Sequence, residues 1–217
     1  VTTSHALIAF LIASGLLTIT PGLDTALVLR TAAVAGGRRA MTAGAGICLG
    51  LLTWGFAASV GLGALLNASH IAYNVLRVAG ACYMVFLGCK LFFRSSLAFA
   101  EKADSNSPLA NRPASEEEPR RWFIRGLLTN LLNPKVGVFY VTFLPVFIPT
   151  GANVVAFSML LASIHVMEGI LWFLVLIAAM RPLSTWLRSA RVAKTFDRIT
   201  GAVFVGFGFR LLLDKSR

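Results

Sequence analysis

Residues 6–29 read ALIAFLIASGLLTITPGLDTALVL, an apolar run interrupted by Thr20-Pro21-Gly22 and then by Asp24. A helix rises about 1.5 Å per residue, so about 20 apolar residues cross a hydrocarbon core of about 30 Å. The run is long enough to do so, and its interruption falls within the crossing. It lacks a basic leader and a small-residue cleavage pattern and continues past about 15 residues, so it reads as a retained span rather than a signal peptide. A proline inside a span removes one backbone donor and clashes with the preceding turn. The carbonyl freed near Thr18 then needs a partner from a side chain, a neighbouring helix or water.

Outward from this run, five more segments of the same kind follow: Ala40–Leu66, Ile71–Phe93, Trp122–Ile148, Val154–Met180 and the shorter Ile199–Leu213. Composition agrees. The 217 residues are 57% hydrophobic and 13% charged, against about 25% charged in an average soluble domain. Disordered, collagen-like and disulfide-scaffold chains are excluded. Cys48, Cys82 and Cys89 all lie inside apolar runs and suggest neither a disulfide framework nor a zinc cluster. The formal charge of +11 would ordinarily point to nucleic acid. Here the charges sit between apolar runs, so the expected partner is the lipid bilayer and not nucleic acid. The fold class expected is all-α, a polytopic membrane protein with six transmembrane helices.

The basic residues set an orientation. Arg30, Arg38 and Arg39 follow span one; Lys90, Arg94, Lys102, Arg112, Arg120, Arg121 and Arg125 surround the segment after span three; Arg181, Arg188, Arg191, Lys194 and Arg198 follow span five. The Asn67–His70 and Pro145–Asn153 turns and the N-terminus carry none. The positive-inside rule puts the three basic loops in the cytoplasm and the N-terminus outside. Arg210, Lys215 and Arg217 run against this, and a five-span variant with the tail inside is the alternative. Arg94–Arg121, rich in Ser, Asn and Pro with an acidic Glu116–Glu118 run, is expected to be a mobile cytoplasmic linker.

The halves on either side of that linker echo each other. Span three carries Arg77-Val-Ala-Gly80 and Gly88-Cys-Lys90-Leu91; span six carries Arg198-Ile-Thr-Gly201 and Gly208-Phe-Arg210-Leu211. Spans one and four are each broken by a polar residue before proline, at Thr20-Pro21-Gly22 and Asn133-Pro134-Lys135. The division is therefore residues 1–93, a first three-helix repeat; 94–121, the linker; and 122–217, a second repeat. Three spans per half make the second enter from the opposite side, an inverted repeat with broken first and fourth helices. Matched breaks of this kind point to a substrate site near the midplane. The carbonyl of Asn130 is the one freed in the second half.

Ionisable groups inside spans are costly, at about 2.5–3.5 kcal/mol on insertion scales, and face a cavity or a partner. Asp24, Lys135, His165 and Glu168 are the ones that matter. His165 and Glu168 lie three apart and share a helix face. Asp24, His165 and Glu168 are candidate proton-coupling groups, and Asp24 and Glu168 also suit a substrate ammonium. Lys135 suits a carboxylate. Lys135 and Glu168 simply neutralising each other is the plain structural reading. Candidate substrate-binding residues are Thr20, Pro21, Gly22, Asp24, Asn133, Pro134 and Lys135. Span two carries small residues at Ala43, Gly46, Gly50, Ala57 and Gly61, a stripe for close helix packing. His5 and His70 are expected at span ends, Arg77 as a snorkelling anchor, and Trp122 and Trp186 in an interfacial belt.

Several of these motifs together resemble the LysE/RhtB-type amino-acid exporters of the lysine exporter superfamily. The first half carries Thr20-Pro21-Gly22-Leu23-Asp24 and Gly36-Gly37-Arg38-Arg39-Ala40. The second half carries Gly126 through Asn133-Pro134-Lys135, then Phe143-Leu144-Pro145. Gly80-Ala-Cys-Tyr83 to Gly88 and Asp197-Arg198 to Gly208 complete the set. The resemblance covers almost the whole chain. It implies a secondary-active efflux carrier, driven by the proton-motive force, for amino acids or related small metabolites in a bacterial cytoplasmic membrane. It implies no enzyme activity, no cofactor and no metal, and leaves a homo-oligomer open. The chain departs from the family motif at Leu23 and Asp24, where a second proline and an asparagine are usual. Leu23 makes the break less rigid, and Asp24 favours a cationic substrate or adds a proton site. Two other classes compete. A metal-ion exporter would need clustered ligands, and the chain has three histidines without such spacing. A membrane-embedded lipid enzyme would need a converging catalytic set, which the spans lack. No filter sequence suggests a channel.

Overall fold

A computed structural model describes residues 3–68 and 118–179, with isolated helical positions between 75 and 89 and between 194 and 209. Most of spans three and six, most of the linker, His70, Arg77 and Trp186 lie outside the described residues. Every regular element among the described residues is helical. Helix α1 is Thr3–Ile19, α2 Leu23–Ala35, α3 Gly37–Ala68, α4 Pro119–Leu131, α5 Pro134–Val138 and α6 Val154–Ala178.

Both breaks fall at the predicted prolines. Helices α1 and α2 meet at a 50° bend, and α4 meets the segment Pro134–Phe147 at 52°. Among the described residues α3 and α6 are each long and apolar enough to cross a membrane, and counting each bent pair as one span makes up to four. The breaks start differently from one another. Gly22 precedes α2 in extended conformation, whereas Asn133 caps α5 by accepting the Lys135 N–H at 3.1 Å. Beyond α5 the helix widens into a π turn at Phe139–Phe143, closed by Leu144 N–H to the Phe139 carbonyl, and then tightens at Leu144–Phe147. Pro145 has no N–H, so the ordinary register ends there.

Two boundaries move relative to the sequence reading. Pro119, Arg120 and Arg121, expected at the end of the linker, form the first turn of α4. Proline at the opening of a helix lacks only a donor that has no partner there. Helix α2 runs on to Ala35 and turns into α3 at the single residue Gly36, whose φ of 85° lies where glycine alone is unstrained.

Helix α3 is the axis of the described part, packed along α4 on one side and α6 on another. Gly46 of α3 faces the Phe123 carbonyl of α4, and Gly126 of α4 faces the Ala43 carbonyl of α3, each with no room for a β-carbon. The two backbones thus touch through reciprocal glycines, the close approach that small residues allow between membrane helices. The expected stripe holds at Ala43, Gly46 and Gly50. Its upper part shifts, because Ala57 is exposed and Gly61 faces open space, while Gly55 instead meets Ala162 of α6. Trp122 corrects another expectation. It is 4% exposed, with the Arg125 guanidinium 4.7 Å from its ring, because the glycine contact draws that end of α4 against α3.

Two apolar clusters fill the interior. One gathers Phe10, Phe139, Tyr140, Phe143, Phe147 and Leu161 beside the π turn, and the other Val28, Ile47, Phe173 and Leu176. Outward-facing side chains are also apolar, including Ile12, Phe56, Leu128, Leu132, Met167 and Leu171. An apolar exterior over an apolar interior is what a lipid environment selects.

Replacing Gly126 by leucine drives a side chain into the Ala43 backbone, which has no rotamer with which to yield. Overpacking of this kind costs about 1–3 kcal/mol or more. Thermal unfolding of purified Gly126→Leu should show a clear loss, and Gly61→Ala, in open space, should unfold close to the parent.

Candidate functional site

Proline at position 21 leaves the Leu17 carbonyl, four residues earlier, without its helical donor. That carbonyl, one residue before the expected Thr18, accepts from the Lys135 ammonium at 2.9 Å; Thr20 O accepts from the same ammonium at 3.0 Å. The Thr20 hydroxyl turns back onto Leu16 O at 2.6 Å. Lysine supplies three donors on a long stem, so one side chain of the second break closes the open end of α1. Lys135 Nζ passes over Gly22, where a β-carbon would lie 3.7 Å from it.

The second break is tied to the first in return. Asn130, fully buried in the last turn of α4, donates from Nδ2 to Asp24 Oδ2 at 2.9 Å. Its carbonyl, freed by Pro134, accepts the Asn133 N–H at 3.0 Å and the Trp54 indole N–H at 3.4 Å. Asp24 sits in the first turn of α2, where the helix dipole favours a carboxylate. Its other oxygen, Oδ1, is buried without a hydrogen-bond partner among the described residues, as is the Thr18 hydroxyl.

These groups line one cavity. Thr18, Thr20, Gly22, Asp24 and Thr25 from the first break meet Asn133, Lys135 and Val136 from the second, with His165, Gly169 and Phe173 of α6 and Ile47 and Leu51 of α3 behind them. Its volume is about 40 Å3. A water needs roughly 10–15 Å3 on the same measure, so in this arrangement the cavity holds a few waters and not a free amino acid. Of the residues expected from sequence, Thr20, Gly22, Asp24, Asn133, Lys135 and His165 line it, while Pro21 and Pro134 shape the breaks from behind.

Glu168 does not line the cavity. Its Oε1 faces Gly15 of α1, where a β-carbon would come within 3.4 Å, and its Oε2 is buried without a hydrogen-bond partner among the described residues. The charges of the simple Lys135–Glu168 pairing therefore both meet α1, at separate places. His165 is 3% exposed, with Nδ1 3.1 Å from the Tyr140 hydroxyl and its ring stacked on Tyr140 at 5.7 Å and 14°.

Asn130 and Tyr140 were not picked out as site residues from sequence. Asn130 had a signal, an amide three residues before Asn133 in an otherwise apolar run. Tyr140 had little, since a tyrosine among phenylalanines reads as core until a buried histidine is found beside it.

The model of the family described as LysE type translocator matches residues 15–215. The chain belongs to the LysE family. Among curated relatives, this LysE-type chain is 33% identical over 210 residues to the uncharacterized membrane protein YrhP of Bacillus subtilis (strain 168), covering 95% of this chain and 98% of that one. It is 30% identical to the leucine efflux protein of Klebsiella pneumoniae, covering 96% and 95%, and 29% identical to the threonine efflux protein of Escherichia coli (strain K12), covering 91% and 92%. No solved structure matches it. The LysE-type chain is thus a multi-pass membrane translocator and not an enzyme.

Truncating Asn130 to alanine removes the donor to Asp24 Oδ2, and Tyr140→Phe removes the hydroxyl partner of His165 Nδ1. An orphaned buried polar group costs about 1–3 kcal/mol, more when charged. Both variants should unfold at lower temperature. In a double-mutant cycle, Asn130→Ala should cost markedly less in an Asp24→Leu background, and equal costs in both would show that the bond carries no stability.

Proposed function

We propose that the protein exports an amino acid or closely related small metabolite by alternating access, driven by the proton-motive force, through the cavity between the two breaks. One observation carries the reading: a carboxylate from the first broken helix, Asp24, and an ammonium from the second, Lys135, line the same small cavity. An α-amino acid zwitterion presents the complementary pair of charges on one carbon. Its ammonium meets the unpartnered Oδ1 of Asp24, and its carboxylate meets Lys135 beside the first turn of α2, with Thr20 and Asn133 as polar flanks. The relatives named for leucine and threonine efflux support an amino-acid cargo.

The nearly equal bends of the two broken pairs support the inverted repeat of residues 1–93 and 122–217 about the 94–121 linker, and the basic loops support an N-terminus outside. Exchange between the two faces then consists of one repeat rocking on the other, which opens the cavity to each side in turn. A proton reloads an acid on the return. Asp24 lines the cavity with Lys135 and His165, and Glu168 lies nearby on the α1–α6 contact, so Asp24, His165 and Glu168 carry the coupling.

Proteoliposomes loaded with labelled leucine or threonine test the reading. An imposed proton gradient should accelerate wild-type efflux, and a protonophore should abolish the acceleration. Asp24→Asn combined with Glu168→Gln should lose the response to the gradient. Undiminished gradient-driven efflux in that double variant would remove the proton role from both carboxylates.

A further inference from the structure

The Lys135 ammonium occupies a position that a free cation would suit equally well. The Leu17 and Thr20 carbonyls stand at the C-terminal end of α1, the negative end of that helix dipole, and Pro21 keeps the Leu17 oxygen from being used within the helix. Asp24 lines the same cavity, and its buried Oδ1 has no hydrogen-bond partner among the described residues. Backbone carbonyls at an unwound stretch and at the C-terminal end of a half-helix are the oxygens that hold a monovalent cation in carriers with broken helices.

We propose that Leu17 O and Thr20 O, with the Asp24 carboxylate in the same cavity, form a monovalent-cation seat, and that Lys135 fills it as a tethered cation supplied by the other half of the molecule. The choice of side chain fits this role. Lysine ends in a compact point charge with three donors and no acceptor, whereas the broad, planar fork of arginine is built to meet another planar group. The close pass over Gly22, where a β-carbon would stand 3.7 Å from Nζ, gives the stem its route to the carbonyls. Two consequences follow. With its own cation in place the parent protein has no need of sodium. With the ammonium removed, the same oxygens take up a small cation from solution, either a metal ion such as Na+ or a primary ammonium that reproduces the lost group. The proposal stands apart from the export reading, because it is tested on protein without substrate.

The test is thermal unfolding of the purified full chain in choline, sodium and methylammonium chloride at equal ionic strength, for the parent, Lys135→Ala, and Lys135→Ala with Asp24→Asn. Choline is too bulky for the seat and sets the baseline. Binding to the folded state alone raises the unfolding temperature in proportion to the logarithm of ligand over Kd. Lys135→Ala should gain stability in sodium or methylammonium relative to choline. A gain in methylammonium alone would identify the seat as one for hydrogen-bonding ammonium, and a gain in sodium would identify it as one for a metal cation as well. The parent should respond alike to all three salts, and the double variant should lose most of the gain. Equal response of Lys135→Ala to all three salts, or the same cation preference in the parent, would overturn the proposal. If Lys135→Ala yields no folded protein in choline, recovery only in sodium or methylammonium supports the seat, and failure in every salt overturns it.

Discussion

The architecture of this protein depends on how one backbone carbonyl, that of Leu17, is satisfied. Pro21 has no N–H to offer it, and the surrounding helices leave an apolar interior in which an unpaired carbonyl is costly. The donor comes from 118 residues away, on the Lys135 side chain. The second break is closed in a related way. Asn130 bridges to Asp24, and its own freed carbonyl is covered by Asn133 and Trp54. Each proline thus leaves a carbonyl open, and a side chain from another helix, Lys135 or Trp54, helps to close it. The two broken helices are therefore held to each other at their breaks, which is where a carrier needs both polarity and a capacity to rearrange.

Such long-range closure requires the helix backbones to lie at fixed, short distances. The reciprocal glycine contacts of α3 and α4 provide that, since Gly46 and Gly126 let backbone meet backbone. Asn130, one turn beyond Gly126, then rests on Gly50 with no β-carbon between them, and its amide is aimed at Asp24. The aromatic cluster beside the π turn has a parallel role. The widened turn at Phe139–Phe143 carries Tyr140 beside His165 and so sets one wall of the cavity. Packing in this protein places the few polar groups as much as it excludes water.

Much of this was legible in the sequence, for reasons that can be traced to particular residues. Proline and its polar neighbour mark a break whatever the surroundings, so Thr20-Pro21-Gly22 and Asn133-Pro134-Lys135 located both bends. An ionisable residue in an apolar run must find a cavity or partner, so Asp24, Lys135 and His165 were recognisable before any geometry was known. Pairing was harder to read. Whether Lys135 meets Glu168 or the α1 carbonyls depends on helix rotation and separation, which spacing along one chain does not encode. The displaced upper half of the glycine stripe and the buried Trp122 have the same origin, because each depends on which neighbour a helix face meets. The start of α4 at Pro119 was missed for a local reason: charge at Arg120 and Arg121 reads as linker although their backbone is already helical.

If the cavity takes both charges of a zwitterion at once, each charge of the cargo contributes to binding. Equilibrium binding to purified wild-type protein tests this most directly, comparing the exported amino acid with two analogues, the amine that lacks its carboxylate and the 2-hydroxy acid that lacks its ammonium. The amino acid should bind well, and loss of either charge should reduce affinity by about tenfold or more, as expected when a buried charged partner is left unmatched. Equal affinity for the amino acid and either analogue would contradict it, because Asp24 or Lys135 would then make no contact with the cargo.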